Sequence, residues 1–530
     1  MRSFSKRLSL FSLVAWLATV AYGATITGAV KGPDGEPMEG VFVQAQNLKT
    51  KITVSVPSRQ QGSYRIENLP AGDYRLQIRA VGYRAESRTG GRGASGDSGR
   101  TGLGSPVSLA ADQNVSFDFA LQKAMVRWNE ISMYQGKKLL PEAPGRKQLF
   151  GQCFACHGFE TRMASVIRDE DGWHDRIQYM REAMRYFIRD RFTDQDENEV
   201  AHYLASLWGP DATLPKSPAD VPGYKETLRP FKSEAMDIVY VEYELPGPNR
   251  MPWSGAPDKE GNVWIPYYGA ANKIGRLNPK TGEVQEWPVP NRGSAGIHSA
   301  VAGPDGVVWI TEQGSNKLAK WDPATQQVSE YQDTIGKHTV RIGPTGEVWF
   351  SGGKGSFNPE TKKFTAYEGG AYGIALDQPG NAWYASGDDL VKVDAQTRKL
   401  TKYTPPTHEN NFNRRIQVDT DGTVWFAEFN KGKMARFDPK TEKFQEYQLP
   451  GPEPTPYALG IDKNHYVWYS SEDMDVIGRL DPKTGDVLEY PFPHSENTMR
   501  EFFYQPETGR MWFATPANNT VGYFVLAAGK

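Results

Sequence analysis

Cysteine is nearly missing from this chain. Two of 530 residues are cysteines, Cys153 and Cys156, which excludes a framework of several disulfides. A surplus of charge of one sign is missing too. Lys and Arg number 61 against 63 Asp and Glu, a net charge of −2, so no general polyanion-binding surface is implied and nucleic acid is not an expected partner. No G-x-G-x-x-G follows a strand-like run, so NAD and FAD are not implied. Beyond the N-terminus there is no apolar run of the roughly 20 residues a membrane span needs, and the chain does not read as an integral membrane protein. The first residues read differently. Arg2, Lys6 and Arg7 are basic, Leu8 to Val20 is largely apolar, and Ala21-Tyr22-Gly23 offers small residues for cleavage. Residues 1–23 are therefore predicted to be a secretory signal peptide, leaving a periplasmic or secreted chain. The rival reading is a membrane anchor, for which the apolar run is short.

Aromatic residues and glycine are plentiful: 14 Trp, 25 Tyr and 53 Gly suit many short strands joined by tight turns. Residues 24–122 alternate apolar and polar positions between Gly- and Pro-rich turns. The runs are Ile26 to Val30, Val41 to Ala45, Gly62 to Ile66 and Leu69 to Leu76, with Val115 to Leu121 closing the set. Such runs predict a β-sandwich of antiparallel strands. The pattern G-x-Y-x-I-x-x-L-P-A-G-x-Y followed by Gly82-Tyr83 resembles the carboxypeptidase regulatory-like domain, which implies a scaffold or docking module. The Gly/Ser/Arg-rich stretch at 88–105 reads as a flexible loop.

Residues 123–228 read as a small all-α domain around Cys153-Phe154-Ala155-Cys156-His157. C-x-x-C-H is the covalent attachment pattern of a c-type haem; both thiols add to one porphyrin, and the adjacent histidine becomes the proximal ligand. A lone disulfide is the alternative reading. Trp173, Ile177, Met180, Met184 and Phe187 mark one helix face. Thr193 and Asp196 predict a capped start for a further helix carrying Val200, Tyr203, Leu204 and Leu207. This order of helix, C-x-x-C-H, W-x-x-x-I-x-x-M and closing helix resembles a small monohaem cytochrome c domain. The resemblance implies Met180 as the second iron ligand. Met184 is the alternative, Met163 and His174 are outsiders, and both helix methionines as core filler remains a further reading. The prolines between 210 and 236 suggest a semi-rigid linker.

From 237 onward a unit repeats. Its tryptophans, Trp264, Trp309, Trp349, Trp383, Trp425, Trp468 and Trp512, are spaced by 45, 40, 34, 42, 43 and 44 residues. Each follows a turn such as Asp421-Gly422. Four strands per unit, seven times over, predict a seven-bladed β-propeller over 229–530. The last unit lacks an outer strand, and Val241 to Pro248 matches the outer strand of the sixth, so the N-terminal strand is expected to complete the last blade. The motif P-x-G-x-x-W-[FI]-x-E with N-K-[IL]-x-[RK]-x-[ND]-P resembles virginiamycin B lyase, a magnesium-dependent streptogramin-opening propeller.

Eleven residues before each tryptophan stand Trp253, His298, His338, Tyr372, Arg414, Tyr457 and Glu501; three after stand Tyr267, Glu312, Gly352, Ser386, Glu428, Ser471 and Thr515. Equal offsets about the turn predict that the two sets face each other on the innermost strands, the first set ringing the channel. His298 and Glu312 have the spacing that the lyase resemblance implies for catalysis and Mg2+. Two positions depart from that family: Gly296 stands where it has an acidic residue, and Trp253 where it has a metal-binding histidine. His338 and Arg414 are further catalytic candidates, although His338 has only Gly352 as its partner.

The expectation is a multidomain chain of β-sandwich, cytochrome c domain and propeller. It would carry one covalent haem c on Cys153, Cys156 and His157, with Met180 on the iron, and pass electrons to a carrier protein. The propeller would take a small organic substrate or a partner dehydrogenase. The alternatives are a C–O lyase with Mg2+ at the propeller face and a non-enzymatic electron-transfer or docking protein.

Overall fold

A computed structural model describes residues 23–90, 100–101, 105–155, 157–183, 188, 191–291, 293 and 295–527. The expected signal peptide, Cys156, Met184 and most of the 88–105 loop lie outside the described residues. The N-terminal part is built from two sheets. One has the order Ser63–Leu69, Ala24–Lys31, Asn114–Lys123, Tyr83–Gly90, Arg100–Thr101. The start of the expected loop, Arg88 and Thr89, thus belongs to a strand and pairs with Thr101 and Arg100. The other sheet contains Val107–Leu109, Gly72–Arg79, Phe42–Asn47 and Ile52–Pro57. Alternation does the sorting. Along Asn114–Lys123 the side chains of Val115, Phe117, Phe119 and Leu121 are buried and face the other sheet's Val43, Ala45 and Leu76 in one core.

That second sheet does not end at Ile52–Pro57. The strand Ile238–Glu244 pairs with it, Tyr240 opposite Ser55 and Tyr243 opposite Ile52. On its other edge Ile238–Glu244 pairs antiparallel with Thr520–Leu526 along its whole length. The strand read as closing the propeller ring therefore also joins the ring to the sandwich, in one eight-stranded sheet. Tyr240 sits at the seam. It is fully buried, its ring lies 6.1 Å from Phe42 of the sandwich and 5.2 Å from Phe492 of the propeller, and its hydroxyl donates to Pro491 O at 2.6 Å.

The remaining sheets follow in chain order, five of four strands and one of three. The three-stranded sheet is the unit with the 34-residue spacing. Its second strand, Val348–Asn358, runs on without the hairpin loop that separates Val308–Glu312 from Lys317–Asp322 one blade earlier. The repeat tryptophans are buried, and the turn before them explains the spacing: Asp258, Asp377 and Asp462, each six residues earlier, accept the indole N–H of Trp264, Trp383 and Trp468.

Between sandwich and propeller lies the helical module: α1 (Met133–Leu139), α2 (Arg146–Gly151), a short 3-10 turn at Cys153–Ala155, α3 (Glu170–Ala183) and α4 (Asp194–Trp208). α4 starts on the expected reciprocal cap, Thr193 with Asp196, and buries Val200, Tyr203, Leu204 and Leu207. Segment 210–236 is irregular, as its prolines require, but it is not a bare linker. Trp128 Nε1 donates to Pro215 O at 2.7 Å, Gln135 Nε2 to Thr227 Oγ1 at 3.0 Å, and Tyr224 joins the helical core. No described helix is long and apolar enough to cross a membrane.

Tyr240→Phe keeps the ring and strands Pro491 O without its donor. It is expected to lower stability by about 1–3 kcal/mol, read as a lower urea midpoint with an unchanged denaturant slope.

Candidate functional site

α2 delivers the chain to the C-x-x-C-H turn, and α3 and α4 wall a cavity of about 280 Å³ beside it. Cys153, His157, Met163, Trp173, Ile177 and Met180 line it. His157 is 5% exposed. Its Nδ1 lies 2.8 Å from Gly158 O, and a proton on Nδ1 directed at that carbonyl leaves the Nε2 lone pair for a metal. Burial lowers the His157 pKa against the opposing field of Glu496, so the ring is neutral. Glu496, from the loop before the last blade, accepts from Gly158 N and Thr161 N, both at 2.9 Å, and from Thr161 Oγ1 at 2.7 Å. The motif is thereby tied to the propeller.

Arg162, Arg168, Arg176 and Arg181 also line this cavity. Arg181 is engaged by Asp194 and Glu197. Arg162 Nε and Trp173 Nε1 are buried donors that lack a partner. His174 turns to Glu197 Oε1 at 3.3 Å and is not among the lining residues. The cavity thus brings together Cys153, His157 and Met180. Sequence reasoning missed the arginines, whose spacing carried no motif, and set Met163 aside.

On the propeller face, Trp253 Nε1 donates to His298 Nε2 at 2.9 Å. The His298 and His338 rings lie 3.6 Å apart, and His338 is 4.4 Å from Tyr372. The Tyr372 and Tyr457 hydroxyls are hydrogen bonded. Burial holds both histidines well below the usual range, helped for His298 by His338 and Arg415 and for His338 by Arg415 and Arg414; both are neutral. Glu501, expected in the same ring, pairs instead with Arg341. Its neighbour Arg500 takes the place, 5.2 Å from the Trp253 ring and 4.5 Å from that of Tyr457.

The expected facing of the two sets does not occur in four of the blades. Glu312 stands opposite Ile297, Gly352 opposite Lys337, Glu428 opposite Asn413 and Ser471 opposite Pro456, with a register shift just after each inner-strand partner. A bulge there puts an extra residue in the inner strand and re-aims the side chains beyond it. His298 and Glu312 consequently share no hydrogen bond. Glu312 Oε2 accepts from Ser315 Oγ at 2.6 Å within its own blade, and burial raises its pKa to about 7. The two sites touch: Met251, Trp253 and Tyr268 form a buried cluster against which Met180 and Ile188 of the cavity wall pack.

Residues 25–122 match the carboxypeptidase regulatory-like domain, and residues 358–529 match the virginiamycin B lyase family. The helical module lies outside both spans, as do His298 and Glu312. Comparison with curated proteins gave no match. Among solved structures, virginiamycin B lyase from Staphylococcus aureus aligns at 22% identity and TM-score 0.50, covering 55% of this chain and 99% of that one. A streptogramin B lyase aligns at 24% identity and TM-score 0.50, with the same coverage. At these identities the likeness establishes the propeller fold alone.

The raised Glu312 pKa has a definite sign. The folded state keeps that proton to about pH 7 while the unfolded carboxyl loses it near 4.5. The associated stability is therefore complete at low pH and is lost as pH rises through 7. Glu312→Gln should remove about 2 kcal/mol of the fall in stability between pH 5 and pH 8, measured as the difference between variant and wild-type urea midpoints at each pH.

Proposed function

We propose that the chain is an exported, periplasmic c-type haem protein that transfers electrons, with the propeller face receiving a small organic substrate or a partner dehydrogenase. The observation that carries this reading is the cavity beside the C-x-x-C-H turn, lined by Cys153, His157 and Met180 together.

The residues present fit a haem. The wall is apolar at Trp173, Ile177 and Leu204, as a porphyrin face requires. The unpartnered donors Arg162 Nε and Trp173 Nε1, with Arg168 and Arg176 nearby, suit two propionates. Cys153 and Cys156 would hold the group covalently, and His157 and Met180 would hold its iron, with Met184 as the alternative to Met180. When bound, it supplies one-electron chemistry at a potential that methionine ligation raises. The chain's own part is positional. Gly158 O fixes the His157 tautomer, Glu496 fixes the motif against the propeller, and Phe159, stacked on Trp208 at 5.8 Å, ties the chain just after the motif into the helical core.

A Mg2+ ion at His298 and Glu312 does not fit. The His298 Nε2 lone pair accepts the Trp253 N–H, and Glu312 belongs to a different hydrogen-bonded set. The C–O lyase reading therefore rests on family likeness alone. A purely non-enzymatic carrier would differ from the proposal in showing no haem reduction by any bound organic compound.

The chain matured in a periplasm equipped for haem c attachment is expected to give a c-type pyridine haemochrome with one haem per chain. Met180→Ala should abolish the weak long-wavelength band of methionine-ligated ferric iron, and Met180→His should lower the midpoint potential. Persistence of the band in Met180→Ala would move the ligand to Met184. Absence of covalent haem after such maturation would sink the reading.

A further inference from the structure

A second pocket, of about 580 Å³, lies between the helical module and the propeller. Phe150 and Phe154 line it from one side, and Phe412, Arg414, Phe429 and Lys431 from the other. Phe154 is the residue after Cys153, so this pocket and the cavity share the C-x-x-C-H turn as a common wall.

The charges on the lining decide what it attracts. Its three carboxylates are each paired with a cation: Asp473 with Lys137, Glu453 with Lys138 at 2.7 Å, and Glu472 with Arg500 at 2.6 Å. Among the described residues no carboxylate forms an ion pair with Arg414 or Lys431, so two cations are left over. Arg414 Nε is a buried donor without a partner. The guanidinium carbon sits 3.8 Å from the Phe412 ring centre and 4.5 Å from that of Phe429, a stacked setting that holds the fork flat and weakly hydrated. Phe412 is presented at a cost. It and Asn410 have φ of 50° and 54°, a region strained for a bulky side chain such as Phe412 and readily adopted by Asn. Asp388 holds them there by accepting from the backbone N–H groups of Asn410, Asn411 and Phe412. Strain kept in place by dedicated hydrogen bonds is characteristic of ligand-contact loops.

We infer that this pocket binds a small aromatic carboxylate, its carboxylate on the Arg414 fork and its ring among Phe412, Phe429 and Phe154. The inference deepens the proposed function and rests on its reading of the propeller face as the receiving surface for an organic substrate.

Calorimetric titration of the full matured chain with benzoate, and with benzamide as its neutral counterpart, tests this. Saturable binding of one benzoate per chain is expected, weakened roughly tenfold or more in Arg414→Gln by loss of the charge-assisted pair, while the weaker benzamide binding changes little. Phe412→Ala, at a side chain already 40% exposed, should weaken benzoate severalfold with an unchanged circular dichroism spectrum. Absence of saturable benzoate binding, or equal affinity in wild type and Arg414→Gln, would overturn the inference. The haem reading fails separately: benzoate binding by a chain that acquires no haem supports the pocket and removes electron transfer, and haem without benzoate binding does the reverse.

Discussion

The pairing of Ile238–Glu244 on both its edges is the constraint on which the rest of the molecule depends. A strand with one free edge would leave a row of unmet backbone N–H and C=O groups and a template for aggregation. Here one edge closes the last blade and the other continues into the sandwich. The sandwich therefore caps the one place where the ring meets its own beginning, which gives a docking-type module a structural task. Tyr240 shows how firmly the two parts share an interior, since its ring is packed by aromatics of both.

Closure also sets where the helical module sits. The chain leaves the sandwich, builds the module and returns as Ile238–Glu244, so the module is held between two points of one sheet. Its docking contacts fall on the loops next to that seam, with Glu496 on Gly158 and Thr161, Lys137 on Asp473 and Ser495 Oγ on Asn129 O. The C-x-x-C-H turn is thereby held against the propeller, with Met180 packed on Trp253 and Tyr268 and the Arg414 pocket beside Phe154. The His157 cavity thus borders the Arg414 pocket at this turn and the Trp253 cluster at Met180.

Much of this was legible because it is periodic. The tryptophan spacing carries the blades, although four strands were expected in each and the unit with the 34-residue interval has three. Alternation along Asn114–Lys123 carries the sandwich, and the Thr193–Asp196 cap carries the start of α4. What failed was local backbone geometry. Offsets counted from Trp309 place His298 opposite Glu312, but the bulge adds a residue that periodicity has no means of registering, and the pair comes apart. Arg500 and Arg415 were overlooked for the same reason, being one position off the counted ring. The Pro-rich segment 210–236 was read from composition as a spacer, whereas Tyr224 and Thr227 depend on tertiary partners that composition does not encode. The arginines around the His157 cavity come from the segment before α3 (Arg162, Arg168) and from α3 itself (Arg176, Arg181), and their spacing follows no motif.

The proposed haem cavity at His157 and the pocket inferred at Arg414 border the same turn, so we propose that they act on one another. The most direct measurement is the midpoint potential of the matured chain with and without saturating benzoate. An anion held beside the proposed haem would favour the more positive oxidised state, so the account predicts a fall of tens of millivolts, about 59 mV for each tenfold difference in benzoate affinity between the two redox states. A potential that is the same with and without bound benzoate would contradict it.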